Sequence, residues 1–206
     1  MIALSHYLET EVKLYVPDLN RVRARLEALN APITAPRILE RNVRYDTPDM
    51  ALRRRSAILR LRQDTRVRLT YKDEAESNPQ LSALGKTRFE AEVTIDDFDA
   101  MQTILLRLGF TPTQLYEKYR TAYALYGAEI ALDEMPFGSF IEIEGADAAI
   151  EAVMEALELI DAPRYNVSYM VLFERVKNAL KLPFDDLTFA NFNGIHIPQS
   201  AFDPAL

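Results

Sequence analysis

The sequence of 206 residues has no cysteine, no tryptophan and only six glycines. Without cysteine there are no disulfides and no thiolate metal sites, a composition typical of cytosolic proteins, so we expect a cytoplasmic location. The few glycines form neither a Walker-type GxxxxGK[ST] loop nor a GxGxxG loop, and no GxSxG occurs. The two histidines, His6 and His196, lie at opposite ends of the chain and form no zinc-binding spacing. Zinc hydrolysis is therefore not expected.

Long apolar runs and a positive net charge are also missing. No apolar stretch approaches the roughly 20 residues that span a bilayer, and no basic region precedes an apolar run at the N-terminus, so we expect no membrane association and no signal peptide. The net charge of −7 argues against non-specific binding to a nucleic acid duplex. Yet eight arginines and lysines, with Asp64 as the single acid, lie between Arg53 and Lys72. This basic block is either a solvated patch or an anion site.

Three segments of the chain resemble one another: 9–32, 90–112 and 142–163. Each begins with Glu-x-Glu on a strand-like run, passes an aspartate suited to helix capping, continues as an amphipathic helix and ends at a proline. The helical spacing involves Leu19, Val22, Leu26 and Leu29, then Phe98, Met101, Leu105 and Leu108, then Ile150, Val153, Leu157 and Ile160. Between and after these units we predict strands at 39–45, 58–63, 67–72, 115–124 and 129–133, a loop at 77–86 and a last helix at 168–180.

Most of the predicted strands have one apolar face and one charged face. In 59–62, for example, Arg60 and Arg62 alternate with Leu59 and Leu61. For a single strand, an antiparallel sheet with its polar face in water explains this pattern. The helices, however, must pack on the apolar faces, which leaves all charged faces on the other side. About eight such strands can close into a barrel with the charges inside and the helices outside. We therefore predict an α+β fold with a closed eight-stranded antiparallel β-barrel.

The inward charges have both signs. The candidate acids are Glu9, Glu11, Glu90, Glu92, Asp133, Glu142 and Glu144. The candidate bases are Lys13, Arg60, Arg62, Arg68, Lys72, Arg88, Lys118 and Arg120. Guanidinium groups match phosphate oxygens, and clustered carboxylates are hard oxygen ligands for Mg²⁺ or Mn²⁺. The two sets together suit a polyphosphate bound as its metal complex.

The motifs, in their order along the chain, resemble those of the CYTH proteins, or triphosphate tunnel metalloenzymes. The matching segments are ETEVK at 9–13, RYDTPD at 44–49, LRLR at 59–62, LTYK at 69–72, RFEAEV at 88–93, EKYR at 117–120, LDEMPFGSFIEIEG at 132–145 and SYMVL at 168–172. The likeness covers roughly residues 7–180. It implies a tunnel domain at 1–180, followed by an irregular C-terminal tail at 181–206.

The resemblance also implies roles for residues. Glu9 and Glu11 would ligate a divalent metal, Mg²⁺ or Mn²⁺, with Asp133, Glu142 and Glu144 as further acids. The phosphate-binding residues would be Lys13, Arg60, Arg62, Lys72, Arg88, Lys118 and Arg120. Lys177 on the last helix would close one end.

Three functions stay open at this stage. The first is a metal-dependent triphosphatase acting on inorganic triphosphate or on a small organic triphosphate, such as thiamine triphosphate or a nucleotide. The second is a class IV-type adenylyl cyclase that converts ATP to cyclic AMP and pyrophosphate. The third is a non-catalytic binder of polyphosphate or nucleotide. In each case the partner is a small molecule that contains a triphosphate, and the apolar residues of the tail make a homodimer plausible.

Overall fold

The structure, a computed structural model, describes residues 8–74 and 86–203. The strands in this part are β1 (Leu8–Tyr15), β2 (Ile33–Asp46), β3 (Ile58–Gln63), β4 (Val67–Glu74), β5 (Lys86–Ile95), β6 (Thr111–Leu125), β7 (Ala128–Met135) and β8 (Gly138–Glu144). The helices are α1 (Leu19–Ala28), α2 (Ala51–Arg54), α3 (Phe98–Arg107), α4 (Asp147–Ala156) and α5 (Tyr169–Leu180). The predicted loop at 77–86 lies outside the described residues except for Lys86, which begins β5.

All strand pairs of the sheet are antiparallel, and the order of the strands is β1-β5-β4-β3-β2-β6-β7-β8. β8 pairs with β1, so the sheet forms a closed barrel. The predicted eight-stranded antiparallel sheet with helices, and hence the α+β class, is confirmed. The three Glu-x-Glu strands, β5, β1 and β8, lie next to one another in this order.

The helices pack on the outer face of the sheet through the predicted apolar stripes. Residues of α1 and α4 form one core with β1, β7 and β8, and α3 packs against β2 and β3. In the core that α3 forms with β2 and β3, the side chains of Leu59 and Leu61 point out of the barrel. Arg60 and Arg62 alternate with them and therefore point into the barrel interior. Leu108 and Ile160, the last residues of the apolar stripes predicted for α3 and α4, are predicted wrongly. Both are exposed, because their helices end before them.

Capping differs among the three repeated units. Asp18 accepts hydrogen bonds from the amides of Asn20 and Arg21, and Asp97 accepts one from the amide of Ala100. In the third unit the predicted capping residue, Asp147, is already the first helical residue. The N-cap is Ala146, which makes no side-chain cap hydrogen bond. The third helix therefore begins one position earlier than the aspartate pattern indicates.

The C-terminal tail packs on the barrel as far as the structure describes it. Leu187 forms a parallel bridge to Tyr116 of β6, and its amide donates to the carbonyl of Leu115 at 2.9 Å. Phe202, in a single 3₁₀ turn at Gln199–Phe202, is fully buried against Tyr15 and Phe140. The division into a domain at 1–180 and a tail at 181–206 stays a prediction.

In the part of the chain described, no helix combines the length and the apolar character that crossing a bilayer requires.

Candidate active site

A cavity of about 310 Å³ lies inside the barrel and is lined mainly by charged side chains. Its described cations are Lys13, Arg44, Arg60, Arg62, Lys72, Lys118 and Arg120, and its described acids are Glu11, Glu90, Glu92, Glu129, Glu142 and Glu144. Such a cavity requires a strand sequence in which every second residue is charged, because alternate side chains point to the same face. The structure thus brings together most of the residues that the sequence predicts for the site.

The acids occupy one wall of the cavity. Glu90 and Glu92 lie on β5, Glu11 on β1, and Glu142 and Glu144 on β8, which are neighbouring strands. Glu144 lies directly opposite Glu11 on one side and Glu129 of β7 on the other. Residues opposite each other in antiparallel strands have Cβ atoms about 4.5–5.5 Å apart. Glu11, Glu144 and Glu129 therefore form a row of carboxylates across three strands, here called the acidic row.

The pKa of Glu144 reflects this crowding. This pKa is raised to about 7, mainly by burial. Lys72 opposes the rise, and Glu11, Glu129 and Glu90 add to it. Like charges in a row favour protonation unless a cation is present. Hard carboxylate oxygens that repel one another suit a divalent cation such as Mg²⁺ or Mn²⁺. The donor set of the acidic row therefore fits the metal, although no group of three or more described Asp, Glu or His side chains has the geometry of a preformed metal centre.

The cations form the opposite wall. Lys72 lies on β4, Arg60 and Arg62 on β3, Arg44 on β2, and Lys118 and Arg120 on β6, which are again consecutive strands. One cation, Lys13, stands on the acidic side, where its Nζ lies 2.9 Å from Glu142. One acid, Glu40 of β2, is buried among the cations. Burial would raise the pKa of Glu40, but Lys118 and Arg62 hold it well below its usual range.

Buried ion pairs join the two walls at β6, β7 and β8. Arg120 donates to Asp133 from Nε at 2.7 Å and also pairs with Glu142. Burial disfavours the charged form of Glu142, yet Lys13 and Arg120 keep its pKa well below the usual value. The pKa of Lys13 is raised, because the attraction of Glu142 and Glu11 outweighs the effect of burial. These ion pairs favour the charged forms of Lys13 and Glu142.

Asp133 is predicted as a metal ligand, and in the structure it contacts cations of the basic wall. Its side chain is fully buried and does not line the cavity. Its oxygens accept hydrogen bonds from Lys118 at 3.0 Å, from Arg120 and from the hydroxyl of Tyr169 at 2.7 Å. Three of these donors contact Oδ2, and one contacts Oδ1. Asp133 orients two cations of the basic wall, and its assignment as a metal ligand stays a prediction.

Arg60 has features that suit an anion. Its guanidinium donates to the hydroxyl of Tyr116 at 3.3 Å and to Thr70 Oγ1 at 3.1 Å. Its Nε is buried and has no hydrogen-bond acceptor among the described residues. A buried, unsatisfied donor on a charged group is costly unless a ligand supplies the acceptor. A phosphate oxygen in the cavity would do so.

The connection between α4 and α5 covers part of the cavity, since residues 165–170 contribute to its lining. The amide of Tyr165 donates to the carbonyl of Lys13 at 2.9 Å, and Lys13 Nζ donates to the carbonyl of Val167 at 3.3 Å. Lys13 Nζ also lies 4.4 Å from the centre of the Tyr169 ring. These contacts hold the connection against the barrel and fix the position of Lys13.

Four other predicted residues lie outside the described cavity. Glu9 and Arg88 face each other across β1 and β5, but their side chains lie outside the described part of the chain. Arg68 is not part of the lining and pairs with Asp64 and Glu92. Lys177 on α5 does not line the cavity and pairs with Asp185 of the tail; that it closes one end of the barrel stays a prediction.

Sequence reasoning missed Arg44, Glu129, Glu40 and Tyr116. The first three alternate with the outward apolar residues of their own strands, so the strand period could have indicated them. Tyr116, between Leu115 and Glu117, has the same position in the strand period as Lys118 and Arg120, but a tyrosine is most simply interpreted as core. In the structure it is buried, and although burial opposes ionisation, Arg60 and Arg62 lower the pKa of its hydroxyl.

Comparison with known proteins defines the class. Residues 8–165 match the model of the CYTH domain family, and the chain therefore belongs to that family. The match ends before α5 and the tail.

The proteins to which this chain is similar carry different descriptions. A protein of Methanocaldococcus jannaschii named "putative adenylate cyclase" is 28% identical over 177 residues, covering 80% of this chain and 98% of the relative. A Pyrococcus horikoshii structure is 28% identical with a TM-score of 0.63 and covers 81% of this chain and 99% of its own. A Hippeastrum structure, described as a putative adenylyl cyclase that "reveals a dominant triphosphatase activity", is 21% identical with a TM-score of 0.58. It covers 81% of this chain and 95% of its own.

Proposed function

We propose that this protein is a divalent-metal-dependent hydrolase of triphosphates. The observation that carries the proposal is the separation of charge inside the barrel: the acidic row faces a wall of arginines and lysines across one cavity. A metal–triphosphate complex has the complementary pattern, with a divalent cation on one side and phosphate oxygens on the other. The names of the relatives include both cyclase and triphosphatase, and the substrate panel described below decides between them.

The proposed roles follow from the positions of the side chains. Glu11, Glu142 and Glu144, with Glu9, would hold Mg²⁺ or Mn²⁺. When bound, such an ion neutralises phosphate charge and lowers the pKa of a bound water. The phosphate-binding side chains would be Lys13, Arg60, Arg62, Lys72, Lys118 and Arg120, with Arg88 as a further candidate.

The protein contributes preorganised charge. Arg120 and Lys118 are held by Asp133, and Arg60 is held by Thr70 and Tyr116, so these groups need not reorganise as negative charge develops on the transferred phosphoryl group. The burial of the cations strengthens their attraction for phosphate relative to the same groups in water.

Adenylyl cyclase activity is the second candidate. The name of the Methanocaldococcus relative favours it, and so does a second cavity that opens beside the basic wall and could hold a nucleoside. Cyclisation would require the ribose 3′-oxygen to lie behind the α-phosphate, whereas hydrolysis requires a water in the corresponding place.

A substrate panel separates these functions. Inorganic triphosphate, thiamine triphosphate and ATP would each be incubated with Mg²⁺ and with Mn²⁺, and phosphate, pyrophosphate and cyclic AMP would be resolved as products. The proposal predicts release of inorganic phosphate from at least one of them. Cyclic AMP with pyrophosphate from ATP would establish the cyclase instead, and tight binding without turnover of any substrate would indicate a binding protein.

A further inference from the structure

A neutral residue, Tyr116, stands among the cations of the basic wall. It lies on β6 at the same inward positions of the strand as Lys118 and Arg120, is 8% exposed and lines the charged cavity of the barrel. The arginines and lysines contribute positive charge to this wall, whereas the tyrosine contributes a hydroxyl. Its position places this hydroxyl beside the groups that would contact phosphate.

The hydroxyl of Tyr116 has a donor that the protein does not use. It accepts a hydrogen bond from the guanidinium of Arg60 at 3.3 Å, and a guanidinium can only donate, so this contact does not engage the hydroxyl proton. In the part of the chain that the structure describes, the proton has no acceptor. Nε of Arg60 is likewise buried without an acceptor among these residues. A ligand with acceptor oxygens in the cavity would satisfy both donors.

The cations around Tyr116 make its hydroxyl a stronger donor. Burial opposes ionisation of the hydroxyl, yet Arg60, Arg62 and Lys118 lower its pKa. A more acidic hydroxyl donates a stronger hydrogen bond, above all to an anionic oxygen. Because the tyrosine is neutral, it contacts an anion without adding to the repulsion among the neighbouring cations.

The C-terminal tail anchors the backbone of Tyr116. Leu187 pairs with Tyr116 in a parallel bridge: its amide donates to the carbonyl of Leu115 at 2.9 Å, and its carbonyl accepts from the amide of Glu117 at 2.9 Å. Leu187 is also fully buried in the same apolar cluster as the ring of Tyr116. The strand is therefore held on both sides of Tyr116 by a segment that lies beyond the residues matching the family model.

We propose that Tyr116 is a further phosphate-binding residue, whose hydroxyl donates a hydrogen bond to the phosphate group that Arg60 contacts. This inference rests on the proposed function and adds a neutral donor to the arginines and lysines of that site. The alternative is that Tyr116 is a core residue that only orients Arg60 through the contact at 3.3 Å. The unused proton favours the direct contact, because orienting Arg60 requires only a lone pair of the hydroxyl.

The first test removes the hydroxyl and keeps the ring. Tyr116→Phe should lower kcat/KM for the triphosphate that the protein hydrolyses fastest by about tenfold or more, because hydrogen bonds to charged groups are among the stronger ones. Tyr123→Phe is the matched control: Tyr123 also lies on β6, is buried in the outer core and does not line the cavity. This control should keep the kcat/KM of the unmodified protein. An unchanged kcat/KM in Tyr116→Phe would overturn the inference and leave the proposed hydrolase intact.

A double-mutant cycle separates a direct contact from the orientation of Arg60. If Tyr116 contacts phosphate itself, Tyr116→Phe should lower kcat/KM by a further factor of about three or more in a protein that already carries Arg60→Ala. If Tyr116 acts only through Arg60, the second substitution should have no effect in that protein, since the group that it orients is already absent. The latter result would overturn the inference.

Calorimetry tests the contact if no triphosphate is hydrolysed. The Kd of inorganic triphosphate would be measured with Mg²⁺ for the unmodified protein, Tyr116→Phe and Tyr123→Phe. A Kd about tenfold higher in Tyr116→Phe alone would support the phosphate contact while contradicting the hydrolase. An unchanged Kd in Tyr116→Phe, or no binding by the unmodified protein, would overturn the inference. The same measurement compares Arg60→Ala with the double variant if both turn over too slowly to assay.

Discussion

Glu11 lies opposite Glu144 in the acidic row, and its carboxylate lines the cavity. If it holds the metal, Glu11→Ala should lower metal-dependent turnover by about a hundredfold or more, since a bound divalent ion supplies several kcal/mol of charge stabilisation. Phosphate release at several Mg²⁺ concentrations measures this effect. Glu151→Ala, at an exposed position on α4, is the control. Full activity of Glu11→Ala would remove Glu11 as a ligand.

Arg60 tests the basic wall. It is buried, lines the cavity and has an unsatisfied Nε. Arg60→Ala should raise KM and lower kcat for triphosphate, because the guanidinium contacts charge in both the ground state and the transition state. The control is Arg66→Ala, at an exposed position between β3 and β4. A kcat and KM equal to those of the unmodified protein would place the phosphates elsewhere.

Glu144 should make stability depend on pH. Its pKa is raised from 4.5 to about 7 by burial and by Glu11, Glu129 and Glu90, against the opposing effect of Lys72. The folded state therefore binds more protons than the unfolded state between these values, so the free energy of unfolding falls as pH rises through this window.

Glu144→Gln replaces the titrating carboxyl with a neutral amide. The fall in the free energy of unfolding that Glu144 causes should therefore be absent in this variant. Its Tm, measured with a chelator present, should exceed that of the unmodified protein by more at about pH 8 than at about pH 5. Glu151→Gln, at an exposed position, should show no such difference. An equal Tm difference for Glu144→Gln at both pH values would contradict the crowding of the acidic row.

The alternation of residues along a strand predicts well which charged side chains point into the barrel. It predicts poorly the role of each of these side chains. Arg60 and Glu144 were predicted because every second residue of their strands is charged. Asp133 fits the same period, but its role depends on Lys118, Arg120 and Tyr169, which reach it only after folding. Sequence spacing within one strand contains no information on such partners from other elements.

Among the elements, the sequence predicts α1, α3, α4, α5 and most strands but not the short helix α2, and β2 and β6 are longer than predicted. β2 begins at Ile33 rather than at 39, and β6 begins at Thr111 rather than at 115. Each added part contains a proline, Pro36 in β2 and Pro112 in β6, and proline cannot donate a backbone hydrogen bond to a sheet. In the structure Pro36 lies within a shift of register between Ala35 and Ile38, and Pro112 lies beside another. Irregular pairing accommodates both prolines without ending the strands.

The tail contributes to stability as an element. Phe202 is fully buried and packs on the rings of Tyr15, Phe137, Phe140 and Tyr165. Phe202→Ala should lower the free energy of unfolding by about 3–5 kcal/mol, the usual cost of a large-to-small change in a core. Denaturant titration measures it. Leu108→Ala, at a residue 69% exposed, should change it by less than about 0.5 kcal/mol. A similarly small effect of Phe202→Ala would show that the tail is not part of the core.

For the whole molecule, the repeated Glu-x-Glu units indicated that acids recur along the chain, but not that they would become neighbours. The strand order places β5, β1 and β8 side by side, which collects the acids on one wall and leaves the cations to the other. That order depends on pairings between distant parts of the sequence. The volume of the cavity and its junction with a second one depend on closure of the sheet and on the position of α5.

The central claim is that the two walls act together on a metal-bound triphosphate. The most direct measurement is the initial rate of phosphate release from the best triphosphate substrate, first after removal of divalent ions and then during titration with Mg²⁺ or Mn²⁺. Little phosphate should be released without metal, and its release should be saturable with metal. Equal rates with and without metal, or no phosphate release at any metal concentration, would contradict it.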